Sequence, residues 1–406
     1  MDSMIVAAAR ALAAGDPLGA LNRVALRDDA SALALRGIAM AQVGDLERAR
    51  ALLRRAAKAF GPREAVARAR CAVAEAEIAL VTRDLGWPVK TLEAAYATLT
   101  HAGDMVNAAH ARHLMARRLL LTGRVDDAER AIHDIDVSVF PSASRAAFEL
   151  VVAGIALRRL RTRAAREALA RAAVAAEAAG IPSLAAEVER AAIVLDTPAA
   201  RLIVRGAERP LVLEDVEAVL ASDALIVDAC RNTVRHSGAT VSLATRPVLF
   251  ALARALGEAW PNDVARDVLL ARAFGAKSVD DSHRARLRVE IGRLRSALRR
   301  VAEIRATKRG FALVPRRAND VLVLARPVEE EHASVLALLD DGEAWSTSAL
   351  ALALGASQRT LQRALEDLAR EGKVQPFGRG RSRRWIMPPV SGFTTALLLP
   401  AALPIG

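Results

Sequence analysis

Aromatic side chains are scarce in this chain: one Tyr, four Trp and eight Phe make up 3% of its 406 residues. Its cores must be filled by Ala, Leu and Val, which is a helix-rich composition. Cysteine is nearly absent. Cys71 and Cys230 stand far apart in apolar or mixed surroundings, which argues against a disulfide framework and a cysteine-based metal site and fits a reducing cytosol. No apolar run approaches the roughly eighteen residues of a membrane span, and Met1-Asp2-Ser3 lacks a basic leader, so no span and no signal peptide are expected.

Catalytic constellations are missing too. The chain carries no phosphate loop, no dinucleotide fingerprint and no His-Glu-x-x-His pattern. His110 and His113 lie three residues apart on an expected helix with no acidic or cysteine partner close in sequence, and read as an ordinary helix pair. His283, beside Asp280 and Asp281, reads as a cap or a phosphate contact. The expectation is a non-enzyme without metal or cofactor.

What the chain has in excess is arginine. It holds 58 Lys and Arg against 46 Asp and Glu, a net charge of +12. Residues 1–199 carry 27 basic and 23 acidic side chains, residues 200–327 carry 23 and 14, and residues 328–406 carry 8 and 9. Three quarters of the excess therefore lies in the middle third, which points to a polyanion as partner, nucleic acid first and an anionic membrane surface second.

Between Ile5 and Leu195, Ala-rich amphipathic stretches alternate with turns such as Gly15-Asp16-Pro17, Gly44-Asp45, Gly86-Trp87-Pro88 and Gly103-Asp104, with no strand signal. The segment Gly44-Asp45-Leu46-Glu47-Arg48-Ala49 is echoed by Gly123-Arg124-Val125-Asp126-Asp127-Ala128, with weaker copies at Ala94 and Ala165. Small residues there let paired helices approach closely. On these residues the stretch resembles a degenerate tetratricopeptide-type array, which implies a surface for a protein, peptide or small ligand.

After Asp196-Thr197-Pro198 the pattern turns to alternation. Residues 225–228, 233–235 and 240–243, with a Ser237-Gly238 turn, read as a small antiparallel sheet. Helices are expected at about 246–257, 263–274 and 281–301, then a hairpin turning near Lys308 to Gly310; residues 200–222 read as an extra sheet or a linker. The order of elements, with Gly238, Val241, Leu243, Leu269, Phe274-Gly275, Ile291-Gly292-Arg293-Leu294-Arg295 and the stretch from Arg305 to Phe311, resembles the OmpR-type winged helix that serves bacterial response regulators as output domain. Where such regulators carry a phosphoacceptor receiver, this chain has the helical array.

A helical wheel adds a mechanism independent of the resemblance. Leu287, Ile291, Leu294, Leu298 and Val301 form a buried stripe, and Ala285, Val289, Gly292 and Ser296 form a strip of modest side chains opposite. Arg288, Arg295 and Arg299 line one edge of that strip, and Arg286, Arg293 and Arg300 the other. From Arg284 to Arg317 twelve basic residues face only Glu290 and Glu303. Such a helix fits a major groove, with Lys308 and Arg309 on the adjacent backbone or minor groove.

Past Pro327-Val328, helices at 332–340, 347–354 and 357–371 and a basic hairpin at 374–386 resemble a second, compact winged helix-turn-helix. Ser357 is its expected N-cap, and Leu361, Leu365 and Leu368 its core. Its candidate contacts are Gln358, Arg359, Gln362, Arg363, Arg379, Arg381, Arg383 and Arg384.

The expected fold is thus mainly α: a tetratricopeptide-like array (1–199) followed by two winged-helix (α+β) domains (200–326 and 327–389) and an apolar tail (390–406). The expected function is sequence-specific DNA-binding transcriptional regulation in the cytoplasm, at the nucleoid. Partners are double-stranded DNA, a protein or peptide on the array, and a second copy of the chain. The competing class is a helical-repeat scaffold whose winged helices bind proteins.

Overall fold

A computed structural model describes residues 2–13, 15–82, 84, 86–133, 135–274, 281–327, 332–339, 345–354, 356–378, 380 and 383–387. It is mainly helical with a smaller mixed-sheet region. Two compact units are built chiefly from 1–194 and from 195–376 with 384–388.

The first unit is helical throughout: α1 (Ser3–Ala13), α2 (Pro17–Val24), α3 (Ala30–Val43), α4 (Leu46–Ala59), α5 (Ala65–Val81), α6 (Val89–His101), α7 (Met105–Leu121), α8 (Val125–His133), α9 (Ser142–Arg158), α10 (Thr162–Ala179) and α11 (Pro182–Asp196). From α1 to α10, successive helices pack against each other. Local sequence dictates the corners. Gly44, at φ +97°, ends α3 in the left-handed conformation, and the Asp45 carboxylate then caps α4 by accepting from the Arg48 amide at 3.2 Å. Asp16, Asp29 and Asp104 cap α2, α3 and α7 in the same way.

Small residues set the spacing within a hairpin. A Cβ at Gly37 of α3 would lie 2.8 Å from Leu53 Cγ and 3.2 Å from the Ala49 carbonyl oxygen of α4. Ala49, Ala128 and Ala165 are fully buried, as their expected role requires. Ala94 is exposed on the solvent side of α6, whose buried residues are Leu92, Ala95 and Leu99, so the small residue expected there does not face a neighbouring helix.

The second unit opens with β1 (Ala200–Val204), β2 (Ala207–Leu211), α12 (Leu213–Ala221), β3 (Leu225–Asp228), β4 (Thr233–His236) and β5 (Ala239–Ser242). There follow α13 (Pro247–Ala259), β6 (Val264–Ala265), α14 (Arg266–Phe274), α15 (Asp281–Leu298), β7 (Ala302–Ala306), β8 (Gly310–Pro315) and β9 (Val321–Ala325). The sheet expected over 225–243 is neither small nor wholly antiparallel. It has six strands in the order β2-β1-β9-β3-β4-β5, and β9 lies parallel to β3. The Val321-Leu322-Val323-Leu324-Ala325 run is a continuous apolar strand because it is the interior strand between β1 and β3.

Helix α13 seats on this sheet through Gly257, where a Cβ would lie 3.0 Å from Val227 Cγ2 and 3.1 Å from Val323 Cγ2. The segment expected as one helix from 263 begins instead with β6, which pairs with β8; β7 completes that three-stranded sheet in the order β6-β8-β7. Leu269 and Leu270 of α14 and the inner face of α15 share one core with α13 and the larger sheet. A helix–strand–helix–helix–hairpin unit is thus joined to the sheet by a common hydrophobic interior.

Farther along lie α16 (Ala333–Leu339), α17 (Thr347–Leu354), α18 (Gln358–Arg370) and the two-stranded pair β10 (Gln375–Phe377) and β11 (Arg384–Ile386). Their core collects Leu336, Leu339, Leu350, Leu361, Leu365 and Trp385, with Ala244 against it. Among the described residues no helix is long and apolar enough to cross a membrane.

Candidate functional site

Helix α15 carries the densest set of expected site residues. The helix expected over 281–301 ends at Leu298; Leu287, Ile291, Leu294 and Leu298, with Val301 in the turn after it, are each at most 2% exposed and anchor it in the core. The opposite strip of Ala285, Val289, Gly292 and Ser296 is exposed. Val289 is 54% exposed, and a Cβ added at Gly292 would meet nothing within 4 Å. No packing within the described protein requires glycine there, yet glycine in a helix interior costs about 1 kcal/mol relative to alanine.

The edges differ in how their arginines are held. Arg284, Arg286, Arg288, Arg293, Arg295, Arg299 and Arg300 are all exposed. The Arg286 guanidinium lies 4.5 Å from the Phe274 ring centroid, and Arg293 pairs with Glu290 at 2.9 Å. Arg295 donates through Nε to the Ile304 carbonyl at 2.9 Å and lies 5.8 Å from the Phe311 ring, so it clamps α15 to the hairpin. Arg288, Arg299 and Arg300 make no ion pair among the described residues.

Lys308 and Arg309 stand exposed at the hairpin tip, braced by residues that sequence reasoning missed. Arg266, at the start of α14, donates to the Lys308 carbonyl at 3.0 Å and the Thr307 carbonyl at 3.2 Å, and stacks 5.6 Å from the Phe311 ring. Thr307 Oγ1 donates to Asp263 at 2.6 Å and accepts from the Gly310 amide at 2.9 Å. The brace joins residues more than forty positions apart, so no local spacing announces it. Gly310 must be glycine: a Cβ would lie 1.8 Å from the Val264 carbonyl oxygen.

Arginine in the helical unit behaves differently. Arg27, Arg36, Arg50, Arg54, Arg70, Arg124, Arg159, Arg161 and Arg171 each pair with an aspartate or glutamate of the same unit. Others in the same unit, among them Arg10, Arg48, Arg63 and Arg68, are exposed without an ion pair among the described residues, so what sets α15, the hairpin and its flanks apart is the density of such groups over a short stretch.

In α18, Ser357 caps the helix as expected, accepting from the Thr360 amide at 3.1 Å, and Leu361, Leu365 and Leu368 are buried. Gln358, Arg359 and Arg363 are exposed. Gln362 is engaged internally: the Trp385 indole donates to Thr347 Oγ1 at 3.0 Å, Thr347 donates to Gln362 Oε1 at 3.5 Å, and Gln362 Nε2 donates to Glu366 at 2.7 Å. Arg383 and Arg384 are half-buried. Arg379, Arg381 and the tail at 390–406 lie outside the described residues.

His110 and His113 depart from the ordinary pair expected. Both are buried, and His110 Nε2 lies 2.9 Å from a Glu77 carboxylate supplied by α5, an acidic partner invisible in the local sequence. His113 stacks at 6.1 Å on His110 and abuts Phe140 and Phe148, and neither of its ring nitrogens has a partner. Burial, followed by the charges of Arg117 and His110, holds its pKa well below the usual histidine value. Among the described residues no group of three or more potential ligands could hold a metal ion.

No protein-family model matches the chain, and no curated protein or solved structure does.

Proposed function

We propose that this protein is a sequence-specific double-stranded DNA-binding transcriptional regulator. In this reading α13, β6, α14, α15, β7 and β8 form an OmpR-type winged helix. Helix α15 lies in the major groove, and Lys308 and Arg309 rest on the adjacent backbone or in the minor groove. The helical unit is a tetratricopeptide-like array that receives the signal or a protein partner and so sets DNA affinity, and the site of action is the cytoplasmic nucleoid.

The observation that carries the reading is the outer face of α15. A strip of small residues, with open space at Gly292, runs between exposed guanidinium groups of which Arg288, Arg299 and Arg300 have no ion pair among the described residues. A narrow backbone permits deep entry into a groove, and arginines at its edges reach phosphates or guanine O6 and N7. Selecting duplexes from a random library with the full-length chain tests it. The expected result is one enriched motif protected in a footprint; enrichment of no motif would overturn sequence-specific reading.

For the second helix–hairpin module a protein-contact role has its own support. Gln362, one of the two candidate glutamines of α18, is bound within the Trp385–Thr347–Gln362–Glu366 chain, and Arg370 pairs with Asp367. That module then serves as a surface for a partner or a second copy of the chain, which is how a scaffold would use it.

A further inference from the structure

Beside the C-terminal half of α15 lies a concavity of about 280 Å3 that the DNA-reading strip does not include. Four arginines line it from four different segments: Arg295 from α15, Arg299 from the turn that follows it, Arg305 from β7, and Arg316 from the segment after β8. Glu303 is the one acidic side chain of its lining. We propose that this concavity is a phosphate-binding site.

Three features distinguish it from a generally basic surface. Arg299, Arg305 and Arg316 are exposed, make no ion pair among the described residues and converge on one hollow from separate segments of the chain. Arg295 is held in one direction by its bond to the Ile304 carbonyl and by the Phe311 ring, which removes much of the entropy cost of presenting its remaining N–H groups. The segment bearing Arg316 is fixed against the turn after α15 by its own amide, which donates to the Val301 carbonyl at 3.2 Å. Bringing four like charges to one hollow is unfavourable until an anion enters. Guanidinium groups suit phosphate oxygens because they offer paired, charge-assisted N–H donors.

The phosphate has two sources, the backbone of a bound duplex or a free phosphate ester. The backbone source rests on the DNA reading above, and the anion site itself does not. The test compares the full-length wild type, Arg305→Gln with Arg316→Gln, and a charge-matched control, Arg48→Gln with Arg68→Gln, whose positions are exposed in the helical unit.

Titration with inorganic pyrophosphate at low salt is expected to show binding that weakens about tenfold or more in the Arg305/Arg316 variant and is unchanged in the control. If the source is the DNA backbone, pyrophosphate competes with the selected duplex. The slope of log affinity against log salt then becomes shallower by about 0.9 for each lost contact, with sequence preference kept. If the source is a free ester, pyrophosphate binds equally with and without duplex and that slope does not change. Equal pyrophosphate affinity in wild type and variant, or no binding by either, overturns the site. Absence of any duplex preference in the wild type overturns the DNA reading alone, and the pyrophosphate arm still decides the site.

Discussion

Replacing Gly292 separates the requirements of the protein from those of its partner. A methyl group at this position meets no atom within 4 Å, so Gly292→Ala has no steric cost in the free protein. Alanine in a helix interior is favoured over glycine by about 0.5–1 kcal/mol. In a unit of this size that gain raises the melting temperature by about 1–4 °C. Leucine has nearly the same helix preference, so Gly292→Leu should also be no less stable than wild type. On DNA the two differ. Leucine places four carbons on the strip meant to enter the groove, and overpacking of about 1–3 kcal/mol corresponds to a loss of about five- to 200-fold in affinity. Thermal melting followed by fluorescence anisotropy on a selected duplex reads both quantities. A Gly292→Leu protein that melts no lower than wild type and binds the duplex undiminished would refute the assignment of this face to the groove.

Gly310→Ala should act in the opposite sense, because its Cβ collides with the Val264 backbone: a loss of about 1–3 kcal/mol in stability and weaker duplex binding are expected, and unchanged melting would contradict the close β6–β8 contact. His113 supplies a pH dependence. Its folded pKa is depressed below 6.5, so below about that pH the unfolded chain binds a proton that the buried ring refuses, and stability falls by up to about 1.4 kcal/mol per pH unit. In His113→Leu the difference in melting temperature between about pH 7.5 and about pH 5.5 should shrink; an unchanged difference would mean that the ring titrates normally. The Cys71 thiol, buried and pushed up to about 12, should resist alkylation in the native protein while Cys230 reacts, so a thiol count of one native and two denatured equivalents is expected.

Much of this fold is written in local pattern. The 3.6-residue periodicity of 287–301 identifies both the buried and the exposed face of α15, and Gly-Asp pairs mark helix corners because one residue supplies a left-handed backbone and the next a capping carboxylate. What stayed hidden depends on distant pairing. Strand β9 is a five-residue apolar run whose partners begin about a hundred residues earlier, and β6 is two residues long and exists only by pairing with β8. Glu77 reaches His110 across 33 positions, so a reading confined to neighbours finds no acid beside the histidine.

The α15 edges show the same division. Sequence places Arg293 and Arg295 alongside the strip, but one is paired with Glu290 and the other bonded to β7. Alanine at 295 would disturb the hairpin as well as any DNA contact. Arg288 on α15 and Arg300 in the turn just after it are exposed and have no such ties, which makes them the cleaner probes.

The most direct test of the central claim is the salt dependence of binding to the selected duplex, measured for wild type and for Arg288→Ala with Arg300→Ala beside a scrambled duplex. The account predicts steep loss of wild-type affinity between about 50 mM and 200 mM salt, preference for the selected sequence throughout, and a shallower slope with at least about tenfold weaker binding in the variant at unchanged melting temperature. Equal binding of both duplexes, or a variant indistinguishable from wild type in slope and affinity, would contradict it.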